Sequence, residues 1–203
     1  MMKRFVINNS IKIIKKYYPD YSNEQIEKIQ YGLESIYLTT TKIIVIIVLS
    51  ILLNTFKETI SLLLLFNVLR MTSFGIHASK SWICWITSIP TFIIVPLICK
   101  NYILPMYVLI TISSLAIISF AFFAPADTKK RPLIRKKKRI IYKIISIIIA
   151  LIYSILIVST NNQFLKNTLA FSLLIESILI CPLTYRIFNM PYNNYKKYLK
   201  SIV

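Results

Sequence analysis

Two glycines, one histidine and seven acidic residues are all that this 203-residue chain contains of those types. Gly32 and Gly75 stand too far apart to build a Gly-x-Ser-x-Gly nucleophile elbow or a Gly-x-x-x-Gly helix-pairing motif. A zinc site of the His-Glu-x-x-His type needs two histidines on one helix face, and His77 has no companion. An intramembrane aspartyl dyad is excluded as well, because Asp20 and Asp127, the two aspartates, both fall in polar segments. No metal or cofactor is therefore expected. Residues Met1 to Leu33 carry scattered charge and no continuous apolar core ending in small residues, so the amino terminus does not read as a cleaved leader.

What the chain has in quantity is apolar side chain. Hydrophobic residues make up 56% of it and the mean hydropathy is +0.65, more apolar surface than one water-soluble core can cover. A bilayer is the expected solvent. Crossing one takes about 20 residues of helix, and six segments qualify or nearly so: Ile36–Phe56, Thr59–Gly75, Ser81–Cys99, Ile103–Ala124, Ile140–Ser159 and Phe164–Phe188. The second is the weakest, because Arg70 interrupts it, and the third carries Pro90 and Pro96 as expected bends. Alternating the loops puts 22 Lys and Arg on one side and only Lys57, Lys100 and Lys166 on the other. By the positive-inside rule both termini are then cytoplasmic. A four-span arrangement, with segments two and three dipping into the cytoplasmic leaflet, keeps that orientation and is the structural alternative. The expected fold is all-α: one integral-membrane domain over 1–203, with interfacial helices in 1–34, membrane helices in 35–188 and a cytoplasmic tail in 189–203.

Ahead of the first span, Ile7, Ile11, Ile14 and Tyr18 recur at helical spacing, as in a helix lying on a membrane surface. Pro19-Asp20 breaks it, and Ser22-Asn23-Glu24-Gln25 has the form of a capping box opening a second, short helix that leads into the first span. The run from Lys129 to Arg139 could attract nucleic acid by charge alone. No aromatic interleaving or nucleic-acid motif accompanies it, so anionic lipid, at about 1 kcal/mol per basic residue, is the simpler partner, with an acidic peptide as the sharper one.

Catalytic chemistry concentrates between Arg70 and Cys84. His77 precedes Cys84 by seven residues at the mouth of the third segment, and an imidazole is the usual means of deprotonating a thiol near neutral pH. A lone cysteine in an apolar run is also an ordinary packing residue, the reading given to Cys99 and Cys181, between which no disulfide is expected. On one straight helix His77 and Cys84 would stand about 10 Å apart, beyond hydrogen-bond reach. The helix therefore should not run through both. Gly75 and Ala78-Ser79-Lys80-Ser81 suit a turn that folds His77 back over the start of segment three, where emerging N–H groups favour negative charge.

Gly32-Leu33-Glu34, Arg70 with Gly75-Ile76-His77-Ala78-Ser79 and Cys84, and Ala124-Pro125-Ala126-Asp127-Thr128-Lys129-Lys130-Arg131-Pro132-Leu133, in that order, resemble the accessory gene regulator protein B (AgrB) family. The resemblance implies a membrane-embedded cysteine endopeptidase that removes the acidic carboxyl-terminal tail of a short signalling propeptide for quorum sensing. It makes His77 and Cys84 the catalytic positions and favours closure of a thiolactone ring. It also makes a homodimer plausible. Where many members carry paired glycines before the histidine, this chain has Phe74-Gly75. Arg70, Lys129, Lys130 and Arg131 are candidates for holding the acidic tail, and Glu34 or Asp127 for orienting a base or pairing with these cations; each is equally readable as a structural ion pair. Glu176, an acid inside a span, calls for a function or for a partner such as Lys42 or Arg70. The rival class is a small permease or a basic membrane scaffold, in which Cys84 is dispensable.

Overall fold

A computed structural model describes residues 2–76, 81–128 and 133–196. Among these, eight helices follow one another: α1 (Met2–Tyr17), α2 (Asn23–Leu52), α3 (Phe56–Ser73), α4 (Ser81–Asn101), α5 (Met106–Phe123), α6 (Lys136–Ser159), α7 (Gln163–Ile180) and α8 (Pro182–Ile187). An isolated parallel bridge joins Phe74 and Ala126. The chain forms two compact units, Met1–Leu49 and Ser50–Val203.

In the first unit the capping box is made as its sequence suggests: Ser22 N donates to Gln25 Oε1 at 2.8 Å and Gln25 N to Ser22 Oγ at 3.3 Å. What it opens differs from expectation. Residues 23–52 form one 30-residue helix, so Gly32-Leu33-Glu34 lies inside α2 and no separate short helix precedes the span. A single glycine in a helix interior costs only about 1 kcal/mol, too little to break a helix this long.

Helices α2, α4, α5, α6 and α7 are long and apolar enough to cross a membrane. The 18-residue α3 has the same length as α5 and α7 but carries Lys57 and Glu58 in its first turn and Arg70 in its last. Its charges thus sit at the ends, where they cost least in a bilayer. The second expected segment is accordingly a helix of membrane-crossing length with polar ends, and the chain is a polytopic, all-helical membrane protein.

Within the second unit, α7 is the central element, packed against α3, α4, α5 and α6. Small side chains make this closeness possible: Ser113, Ala116, Ser146, Ala150, Ala170 and Ser172 are buried where helices meet. The hydroxyls of Ser113, Ser146 and Ser172 donate to the carbonyls four residues back, so none is a buried polar group without a partner. The opposite faces stay greasy and uncovered. On α6, Ile144, Ile148, Ile152 and Ile155 are about half exposed or more, the pattern of a lipid-facing stripe.

Two expected boundaries move, both for reasons local to the backbone. The sixth segment does not run from Phe164 to Phe188: Cys181 is extended (φ −65°, ψ 133°) and separates α7 from α8. Pro182 forces this, since the residue before a proline is pushed out of the helical region. At the other end α6 begins at Lys136 rather than Ile140, because Lys and Arg are good helix formers and their long stems reach from a membrane edge to water.

Candidate functional site

The last turn of α3 and the residues that follow it are held from three directions. Inside the bundle, Glu176 of α7 is fully buried; it accepts a hydrogen bond from Ser73 Oγ and pairs with Arg70 Nη1 at 3.4 Å. The same guanidinium donates through Nη2 to the carbonyl of Ile76. Arg70 therefore ties the buried acid to the backbone one residue before His77, the reach that five donors on a rigid fork allow. Its position in the last turn of α3 also places positive charge at the negative end of that helix.

The second hold is the segment after α5. Ala126 N donates to Ser73 O and Gly75 N to Ala126 O, both at 2.9 Å, which makes the bridge across Phe74. The third is the end of α7, where Leu179 O, one of the carbonyls a helix terminus leaves without an intrahelical partner, accepts from Ile76 N at 3.0 Å.

Backbone conformation fixes which residues fit here. Gly75 has φ +82°, and a Cβ on it would collide with Arg70 Nη1 and press on Leu179 O at 3.0 Å. Phe74 also has a positive φ, +64°, where glycine is the residue at ease, which is how the departure from paired glycines is expressed in structure. Its ring packs edge-on against Tyr142 at 5.1 Å, a contact that glycine cannot make. Gly75→Ala is expected to displace the Phe74–Ile76 segment while the bundle still assembles. If this segment positions a catalytic group, activity should fall about 10²-fold, as for a misplacement of about 1 Å; processing rate measured beside size-exclusion profiles checks this.

Asp127 sits beside this segment and is itself buried. Its carboxylate accepts from Asn194 N at 2.9 Å, Tyr195 N at 2.8 Å and Leu133 N at 3.4 Å. Its carbonyl and that of Ala126 lie within hydrogen-bond distance of Tyr185 Oη. Burial pushes the phenols of Tyr185 and Tyr192 up, Tyr192 to about 12, so both remain proton donors near neutrality. Asp127 thus gathers the backbone of Leu133, within the basic run, and of Asn194 and Tyr195, so that residues 194–195 fold back onto it.

Cys84 lies in the first turn of α4, half-buried, with Ser88 Oγ 4.0 Å from its Sγ. α3 ends at Ser73 and α4 runs from Ser81; the turn expected to fold His77 back over Cys84 falls on positions outside the described residues. His77, Ser79, Lys129, Lys130 and Arg131 lie outside the described residues. Glu34 belongs to the first compact unit, on α2 beside Glu27, Gln30 and Tyr31. The three cysteines are thiols; Cys99 is buried, and Cys181 marks the break before α8. The structure therefore brings Arg70, Gly75 and Asp127 together around one loop, with Glu176 and Ser73 beneath. Ser73, Leu179 and Tyr185 are contributors that the sequence did not single out; the intramembrane acid at 176 was the signal that a donor such as Ser73 must face it.

Residues 7–180 match the family profile described as Accessory gene regulator B. The chain is 27% identical over 177 residues to an AgrB-like protein of Clostridium acetobutylicum, covering 86% of this chain and 84% of the relative. It is 29% identical over 171 residues to an AgrB-like protein of Listeria welshimeri, covering 84% of each. With the Accessory gene regulator protein B of Staphylococcus aureus it shares 32% identity over 165 residues, covering 79% of this chain and 85% of the relative. No solved structure matches the chain. A match along nearly the whole length, on a polytopic helical bundle whose Arg70–Gly75 and Ala126–Asp127 segments are joined, means that this chain belongs to the accessory gene regulator B family.

Proposed function

We propose that the chain is a membrane-embedded cysteine endopeptidase of a quorum-sensing system, which removes the acidic carboxyl-terminal tail of a short signalling propeptide. The observation that carries this reading is the placement of Cys84 in the first turn of α4, after a segment, Phe74–Ile76, fixed by Arg70, Ala126 and Leu179. A helix start offers N–H groups to negative charge, and Ile76, whose backbone is held at both its N–H and its carbonyl, is the last described residue before His77.

The chemistry proceeds in two transfers. The imidazole of His77 takes the thiol proton of Cys84; the thiolate attacks the scissile carbonyl, and the collapsing tetrahedral intermediate expels the tail amine, which receives the proton back from the imidazolium. The propeptide is left as a thioester on Cys84. A cysteine thiolate of the propeptide then attacks that acyl carbon, releases Cys84 and closes a thiolactone, provided water is excluded. The charge asymmetry of the loops supports a site at the cytoplasmic face of the cell membrane. The basic residues Lys129, Lys130 and Arg131 then lie on the side from which an acidic peptide arrives.

Co-expression of the chain with its propeptide, followed by intact-mass measurement of the membrane fraction, tests the reading. Expected are a propeptide shortened by its tail and an acyl adduct on the chain, both lost when a thiol reagent alkylates Cys84. Complete alkylation with undiminished maturation would sink it.

A further inference from the structure

At the basic end of α6 the second unit has a cavity of about 490 Å³ that the peptidase reading does not use. Lys136, Arg139 and Lys143 line it from one face of α6, at spacings of three and four residues, with Tyr195 across from them and Phe122 and Ile140 also on its wall. Among the described residues no carboxylate forms an ion pair with any of the three cations. The Arg139 guanidinium lies 3.1 Å above the centre of the Tyr195 ring. Stacking occupies the face of that group and leaves its in-plane N–H donors for an anion, the geometry that suits a phosphate.

The apolar wall decides what kind of anion. Phe122 is 74% exposed and Ile140 50% exposed, at the end of one membrane-length helix and the start of another. A soluble carboxylate or phosphate gains nothing from those side chains. A ligand with an anionic head and a hydrocarbon tail satisfies both walls at once: head against the cations, chain along Phe122 and Ile140. Lys136 and Lys143 are about 10 Å apart along the helix, and the flexible four-carbon stem of a lysine lets the ammonium of Lys143 rise toward the same head. We infer that this cavity is a binding site for one anionic phospholipid, distinct from the diffuse attraction of the whole basic surface. It does not depend on the peptidase reading.

The test uses the full-length chain, purified, delipidated and titrated with phosphatidylglycerol or phosphatidylcholine under native mass spectrometry. One phosphatidylglycerol should be retained with a preference of about 100-fold, three cations each contributing roughly tenfold or less. Lys136→Gln/Arg139→Gln/Lys143→Gln should abolish that preference, whereas Lys12→Gln/Lys15→Gln/Lys16→Gln should leave it. Should the first triple variant fail to fold, diazirine-bearing phosphatidylglycerol on the unaltered chain gives the answer: cross-links are expected in peptides covering 122–125 and 136–143. Equal retention of the two lipids, cross-links confined to other segments, or displacement of the lipid by a soluble glutamate-rich peptide would each overturn the assignment, the last by giving the cavity to a peptide.

Discussion

Cys84→Ala is expected to abolish both tail removal and the acyl adduct, and His77→Ala to slow tail removal by about 10²–10⁴-fold, the usual contribution of a positioned acid–base group. The two effects differ in kind. Without the sulfur no thioester forms and no activated carbonyl remains for ring closure, so the linear, full-length propeptide should accumulate. Without the imidazole a small thiolate fraction persists and raising the pH should recover part of the rate; the alanine at 84 should show no such recovery. Intact-mass kinetics in membrane vesicles over a range of pH read both. The permease or scaffold reading makes the opposite forecast, undiminished function for each variant, so the outcome separates the two classes.

Glu176→Ala is expected to destabilise the fold by about 3–5 kcal/mol, the usual result of removing one partner of a buried ion pair. Glu176 is fully buried and the Arg70 side chain only 17% exposed, so water cannot replace the lost acceptor readily. The guanidinium has no neutral form to retreat to. Glu176→Gln keeps an acceptor for Ser73 and should cost less than the alanine. Replacing both partners, Arg70→Ala with Glu176→Ala, should destabilise less than the sum of the single changes, because neither leaves a charge behind. Thermal unfolding in detergent ranks these variants. Additive single and double changes would show that the 3.4 Å pair contributes no coupling. Since Arg70 also holds the Ile76 carbonyl, the Arg70 variants should lose processing even where the bundle survives.

Much of the architecture is local and so could be read without coordinates. Apolar runs of helical length, the capping box at Ser22–Gln25 and the Pro19-Asp20 break depend on residues close in sequence, and each is found where its pattern lies. α2 runs straight through Gly32 because a long helix tolerates one glycine, and the sixth segment stops at Cys181 because a proline constrains its predecessor regardless of hydropathy.

By itself the sequence settled the membrane solvent and the helical class. Only the tertiary structure decided that Glu176 faces Arg70 across 106 positions, that Asp127 gathers the backbone of Asn194 and Tyr195, and that Gly75 has no room for a methyl group. Hydrophobic periodicity and turn chemistry act over a few residues and are written in composition. The partner of a buried charge is chosen by which helices pack against each other, and that choice is made by the whole bundle at once.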